Sequence, residues 1–143
     1  MERAAYLSAL IGRPWAVDGA GPDRFSCYGL FRWLQRDLWR RDLPDVHVPA
    51  DASLRWIMEM IARHGERQRW GEVEMPHGII TAADGAAVLM ARVDRSAHIG
   101  AWLAGEGRII HADDRIGVVV ETPAEIRARG WGRLRFYQPA SQD

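Results

Sequence analysis

The stretch Ala97-His98-Ile99-Gly100-Ala101-Trp102-Leu103-Ala104-Gly105-Glu106-Gly107-Arg108-Ile109-Ile110-His111-Ala112 decides how this chain is read. Two apolar runs flank a Gly-Glu-Gly turn, the pattern of an antiparallel hairpin. With Gly105 and Glu106 as a two-residue loop, His98 stands opposite Asp113 and His111 opposite Gly100. His98 and Gly100 share a face, so both imidazoles lie on one side of the sheet, diagonal to each other at about 7–8 Å between Cβ atoms or somewhat less. A three-residue loop without a bulge would send the rings to opposite faces, so the turn carries the reading.

Outward from the hairpin, the downstream half keeps the texture of short strands. Residues 86–92, 97–104, 108–112, 117–121 and 134–138 read as five strands separated by Gly, Asp and Ser signals. Upstream the periodicity is helical. Tyr6, Leu7, Leu10 and Ile11 mark a short helix that Gly12 and Pro14 end. After a polar turn over 18–22, Leu30, Phe31, Leu34 and Leu38 form the apolar stripe of a second helix, with Cys27 two turns before Leu34 on the same side. A loop over 42–49 leads to a third helix capped by Asp51, with Leu54, Ile57, Met58 and Ile61 on its buried face and His64 and Gly65 at its end. Residues 66–83 read as an irregular connection or lid. Helices followed by an antiparallel meander make an α+β fold, with helices packed on a five-stranded antiparallel sheet. No repeat or linker divides the chain, so residues 1–143 are expected to form one domain.

Composition narrows the classes. The 19 basic residues are all arginine and are balanced by 19 acidic ones, which argues against nucleic acid as a partner. No apolar run of 18 residues exists and the first residues are too interrupted for a secretory signal, so the expectation is a soluble chain with no membrane partner and no leader of its own. A single cysteine forbids an internal disulfide, and no paired Cys/His spacing of a structural zinc site is present.

That cysteine lies in Gly21-Pro22-Asp23-Arg24-Phe25-Ser26-Cys27-Tyr28-Gly29-Leu30, at the entry to the second helix. Unpaired N–H groups and the positive end of the helix dipole favour a thiolate there, and with a basic partner can bring a thiol into roughly the 3.5–7.5 range. A buried core cysteine is the competing reading of a lone thiol. His98 and His111 tilt the choice, because a cysteine nucleophile needs an imidazole to take its proton and a third polar group to orient that imidazole. His98 fits the base, since the small Gly100 beside it leaves room for a helix end, and His111 fits the orienter. Backbone N–H groups of Cys27 and Tyr28 can face an oxyanion. His47, His64 and His77 fall in loops or at a helix end. A metal held by Cys27, His98 and His111 is the other arrangement these residues allow, although the remaining ligands are not evident, and no cofactor is expected.

These blocks resemble the NlpC-type cell-wall cysteine peptidases, a family with a papain-like fold. Ile11-Gly12-Arg13-Pro14-Trp15 and Gly19 to Leu30 are similar to the entry loop and nucleophile helix. Ala87-Val88-Leu89-Met90 resembles the first core strand, His98-Ile99-Gly100 the base strand, Ile109-Ile110-His111-Ala112 the third-member strand, and Phe136-Tyr137-Gln138-Pro139 the last strand. The resemblance implies Cys27 as nucleophile, His98 as base and His111 as orienting residue, acting on peptidoglycan stem peptides between γ-D-glutamyl and a diamino acid. The Gly-Pro-Asp approach and the aromatic after the cysteine look most like the branch found in phage tails and gene-transfer agents, which implies tail-tip proteins as partners and a place in a phage-like particle. Ser26 and Tyr28 stand where many members have an acidic residue and a serine, which bears on substrate contacts. Trp15 stands where many secreted members have a tyrosine. Either its indole N–H serves an oxyanion or backbone alone does. Two rival readings remain: a catalytically silent plug or adaptor of a tail tip, and a thiol amidase or acyltransferase on another substrate.

Overall fold

A computed structural model describes residues 2–43, 55–56, 59–60, 70–92 and 97–139. Helix α1 (Arg3–Leu10) and helix α2 (Cys27–Trp39) precede strands β1 (Trp70–Glu72), β2 (Ala87–Ala91), β3 (His98–Leu103), β4 (Arg108–Asp113) and β5 (Gly117–Glu121), helix α3 (Pro123–Ala128) and strand β6 (Gly132–Pro139). The α+β expectation holds. The strands form one antiparallel sheet in the order β1-β6-β2-β3-β4-β5.

The sheet has six strands where five were expected. The extra one is β1, inside the stretch read as an irregular lid, pairing Trp70 with Pro139 and Glu72 with Tyr137. Three residues carry no legible alternation; the pairing with β6 makes them a strand, and Trp70 adds an edge contact to Phe31 of α2 at 6.0 Å between ring centroids. The result covers the outer edge of β6, which would otherwise present unpaired backbone. Helix α3 was also unread, although Thr122-Pro123-Ala124-Glu125 is a complete start signal. Thr122 Oγ1 accepts from Glu125 N at 3.1 Å, and Glu125 Oε1 accepts from Thr122 N at 2.9 Å. The helix expected over 51–65 lies largely outside the described residues, as do His47 and His64; residues 55–56 and 59–60 are helical. His77 sits in an exposed 3-10 turn, Pro76–Gly78.

Alternation along the strands buries both faces of the sheet. Ile99, Ala101, Leu103, Ile110 and Ala112 point to the side of α1 and α2, where they join Leu30, Phe31 and Leu34. Val88, Met90, Trp102, Ile109 and Phe136 point to the other side, closed by Ile126 of α3 and by Trp131. The far end of α2 is pinned to the sheet by Gln35, whose Nε2 donates to the Gly85 carbonyl at 2.8 Å in a buried site. A satisfied buried amide of this kind holds the helix in one register on the sheet. Among the described residues no helix is long and apolar enough to cross a membrane.

Candidate active site

Cys27 is the first residue of α2, and Ser26 is its N-cap: extended backbone at φ −79° and ψ 170°, with Oγ accepting from Gly29 N at 2.9 Å. Serine is a preferred residue at that position because its hydroxyl satisfies one of the orphan N–H groups. Ser26 was a candidate for substrate contact; its hydroxyl is engaged in the cap. The loop before it is held close. Ser26 N donates to the Gly19 carbonyl at 2.8 Å, and a Cβ on Gly29 would fall 1.9 Å from that oxygen, so only glycine lets the loop lie against the first turn. Phe25 is fully buried against Trp33, and its backbone bridges Trp15. Trp15 is thereby placed beside the approach to the cysteine, with its side chain exposed. Tyr28 sends its ring into the core beside Phe31, leaving its backbone as the part that faces the site.

The hairpin register is the one expected from a two-residue loop. Ala101 pairs with Ile110, Trp102 with Ile109 and Leu103 with Arg108, and Gly107 N donates to the Ala104 carbonyl across the turn. One step further in that register, Gly100 faces His111, and a Cβ on Gly100 would lie 3.1 Å from His111 Cβ and 3.0 Å from the Ile110 carbonyl oxygen. The space at Gly100 is therefore taken by β4, not by a helix end as expected. The consequence is closer contact than a diagonal pair of side chains requires: His98 Nε2 and His111 Nδ1 are 2.8 Å apart, with the rings at 84°. Both rings are buried.

The sulfur meets β3 at its first peptide. The backbone N–H groups of Ile99, Tyr28 and Cys27 itself are near enough to favour the ionised form of the Cys27 thiol. The Ile99 N–H belongs to the peptide that follows His98, so the nucleophile candidate lies near the backbone of the base candidate. The sulfur and the His98 ring are not hydrogen-bonded to each other. Cys27 is half-buried as a residue and packs against the same cluster as Leu34, as its helical spacing predicts. Burial pushes its thiol up from the ordinary value, against the pull of the three N–H groups. That reverses the expectation of a depressed thiol: at a helix start open to water the dipole wins, and here loss of solvent wins. Burial pushes His98 well below the usual histidine range, and a positive charge on His111, when that ring is doubly protonated, acts in the same direction. Both shifts favour the neutral thiol and the neutral imidazole.

Beyond His111 lies a charged cluster that the sequence reading did not include. Glu121 Oε1 is 2.9 Å from His111 Nε2. Glu121 in turn takes the guanidinium of Arg129 on both carboxylate oxygens, with Nε to Oε2 at 2.9 Å and Nη2 on Oε1. Arg129 Nη1 also donates to Asp113 Oδ2 at 3.0 Å, and Asp113 Oδ1 accepts from Arg115 N at 2.8 Å and Ile116 N at 3.2 Å. Burial raises Glu121, but hydrogen bonds from His111 and Arg129 override it and hold the carboxyl down at about 2. A signal was available: Glu121 lies two residues past Val119, the partner of His111, and so on the same face of the sheet. Trp131, reached through α3, stacks on His98 at 4.7 Å between centroids. Among the described residues no three His, Cys, Asp or Glu are grouped to hold a metal ion.

No family model matches the sequence, and no curated protein is similar to it. Solved structures do share the fold. NlpC2 from Trichomonas vaginalis superposes with a TM-score of 0.55 at 18% identity, over 94% of this chain and 44% of that one. NlpC1 from the same organism gives 0.54 at 20% identity, over 94% and 41%. The chain thus spans less than half the length of either protein. The NlpC/p60 domain of the peptidoglycan hydrolase SagA gives 0.52 at 18% identity, over 93% of both chains. The architecture described above is one this chain shares with these structures.

Proposed function

We propose that this chain is a cysteine peptidase that cuts peptidoglycan stem peptides. The observation that carries the proposal is the buried contact of His98 Nε2 with His111 Nδ1 at 2.8 Å in the same fold that sets the free Cys27 at the start of α2. His98 Nδ1 is then the nitrogen left to take a proton. In the first step the thiol proton passes to His98 Nδ1 and the sulfur attacks the scissile carbonyl, forming a tetrahedral oxyanion. The N–H groups of Cys27 and Tyr28 are the donors available to that oxyanion. Collapse expels the amine, which takes its proton from the His98 imidazolium, and leaves an acyl thioester. Water, deprotonated by His98, then releases the acid and restores the thiol.

The fold shared with a domain of a peptidoglycan hydrolase supports the substrate class. Cleavage between γ-D-glutamyl and a diamino acid, and a place in the tail tip of a phage-like particle that opens the wall locally, rest on the resemblance of the residues around Cys27. A second reading, a silent structural component of such a tail, is favoured by one observation: the thiol is pushed up and His98 down, both toward the neutral form. Incubation with purified peptidoglycan and mass analysis of the soluble products separates the two. Release of stem-peptide fragments by the parent and not by Cys27→Ala is expected; equal release by both overturns the peptidase reading.

A further inference from the structure

We propose that Glu121, clamped by Arg129, is a positioning residue that decides which nitrogen of His98 is free to accept a proton. The proposal rests on the peptidase reading for its consequence, while the proton order itself belongs to the free protein. An ionised carboxylate can only accept. Glu121 Oε1 lies 2.9 Å from His111 Nε2, so that nitrogen carries a hydrogen. In a neutral imidazole the other nitrogen is then an acceptor, because the bond made by one ring nitrogen sets the state of its partner. His111 Nδ1 is 2.8 Å from His98 Nε2, which must therefore donate. His98 Nδ1 is left with its lone pair, the state a base needs.

The order is set across three adjacent strands, β3, β4 and β5, and its far end is immobilised. Arg129 meets both oxygens of Glu121 and reaches Asp113 with its third nitrogen, so the carboxylate can neither rotate nor take up a proton easily. The opposite arrangement is a doubly protonated His111. Its Nδ1 would then donate, His98 Nε2 would accept, and the His98 proton would sit on Nδ1, where it blocks transfer from the thiol.

Long-range proton–nitrogen spectra of the ¹⁵N-labelled full chain at neutral pH read the four imidazole nitrogens without any substrate. The expected result is both histidines protonated at Nε2 and unprotonated at Nδ1. In Glu121→Gln, whose amide can donate as well as accept, both tautomers are expected to shift, with a loss in the rate of Cys27 alkylation. A wild-type His98 protonated at Nδ1, or a Glu121→Gln protein with unchanged tautomers and unchanged alkylation, overturns the proposal. Should that variant fail to fold, the wild-type spectrum alone decides. The expected proton order in a chain that releases nothing from peptidoglycan would uphold this assignment and overturn the hydrolase reading; the converse result would do the reverse.

Discussion

The indole of Trp131 lies nearly parallel on the imidazole of His98, 19° between planes, and the guanidinium of Arg92 stacks on the same indole at 4.0 Å. Trp131 is a lid of carbon over His98. It keeps water from the ring, and water is what would stabilise the imidazolium. Arg92 adds a nearby positive charge that acts in the same direction on His98.

Replacing Trp131 with alanine is expected to lower stability by about 3–5 kcal/mol, the range for emptying a buried aromatic site. It should also let His98 titrate closer to 6.5, its ordinary value. Chemical denaturation reads the first effect and an NMR titration the second. An unchanged His98 titration in a folded Trp131→Ala or Trp131→Leu protein would show that the stack does not control His98.

Stability should fall on both sides of neutrality. His98 is held low in the fold, so the unfolded chain binds the extra proton more readily and stability declines as pH drops below about 6.5. Glu121 and Asp84, each held at about 2 in the fold, add a second loss as pH falls from the ordinary carboxylate range toward that value. Cys27 is raised, so the unfolded thiol ionises first and stability declines above its ordinary 9.0. Denaturation midpoints across pH test this. A Cys27→Ser protein should lose the part of the alkaline decline that begins near 9.0, keep the part above about 10 to which Tyr6, held up at about 12, contributes, and keep both acid steps.

Two changes at the start of α2 should differ in size. Ser26→Ala removes a cap and is expected to cost about 1 kcal/mol. Gly29→Ala places a methyl 1.9 Å from the Gly19 carbonyl oxygen, a backbone atom that can yield only if the loop before Cys27 moves. A cost at least in the overpacking range of about 1–3 kcal/mol is expected, with slower Cys27 alkylation as the sulfur is displaced. Equal effects in urea denaturation would count against the close approach.

At the hairpin, Gly100→Ala tests the contact between the histidines. The added methyl would crowd Ile109 Cγ2 at 2.9 Å and the Ile110 carbonyl oxygen at 3.0 Å, pushing β4 from β3 where His98 and His111 meet. Peptide release should fall more steeply than stability. If both stay at the parent level, strand separation is not what holds the 2.8 Å contact.

Much of the site was legible because it rests on local rules. A two-residue loop between His98 and His111 leaves one register, and strand alternation then puts both rings on one face. Glu121 was equally within reach of those rules, at the end of a strand whose bounds were read as they stand. Helix α3 went unread although its capping box is explicit. Strand β1 is different in kind: Trp70-Gly71-Glu72 has no pattern of its own and is a strand because β6 lies beside it.

By itself the sequence determined the α+β class, the helix that begins at Cys27 and the pairing of His98 with His111, since each follows from periodicity, capping or turn length within a few residues. Only the tertiary structure decided the charge state of the site and the links from Glu121 to Arg129 and from Trp131 to His98. Those depend on what excludes water from each group, and the groups that do so arrive from distant parts of the chain. A helix start predicts a lowered thiol in solvent; the packed sheet removes the solvent and reverses the sign.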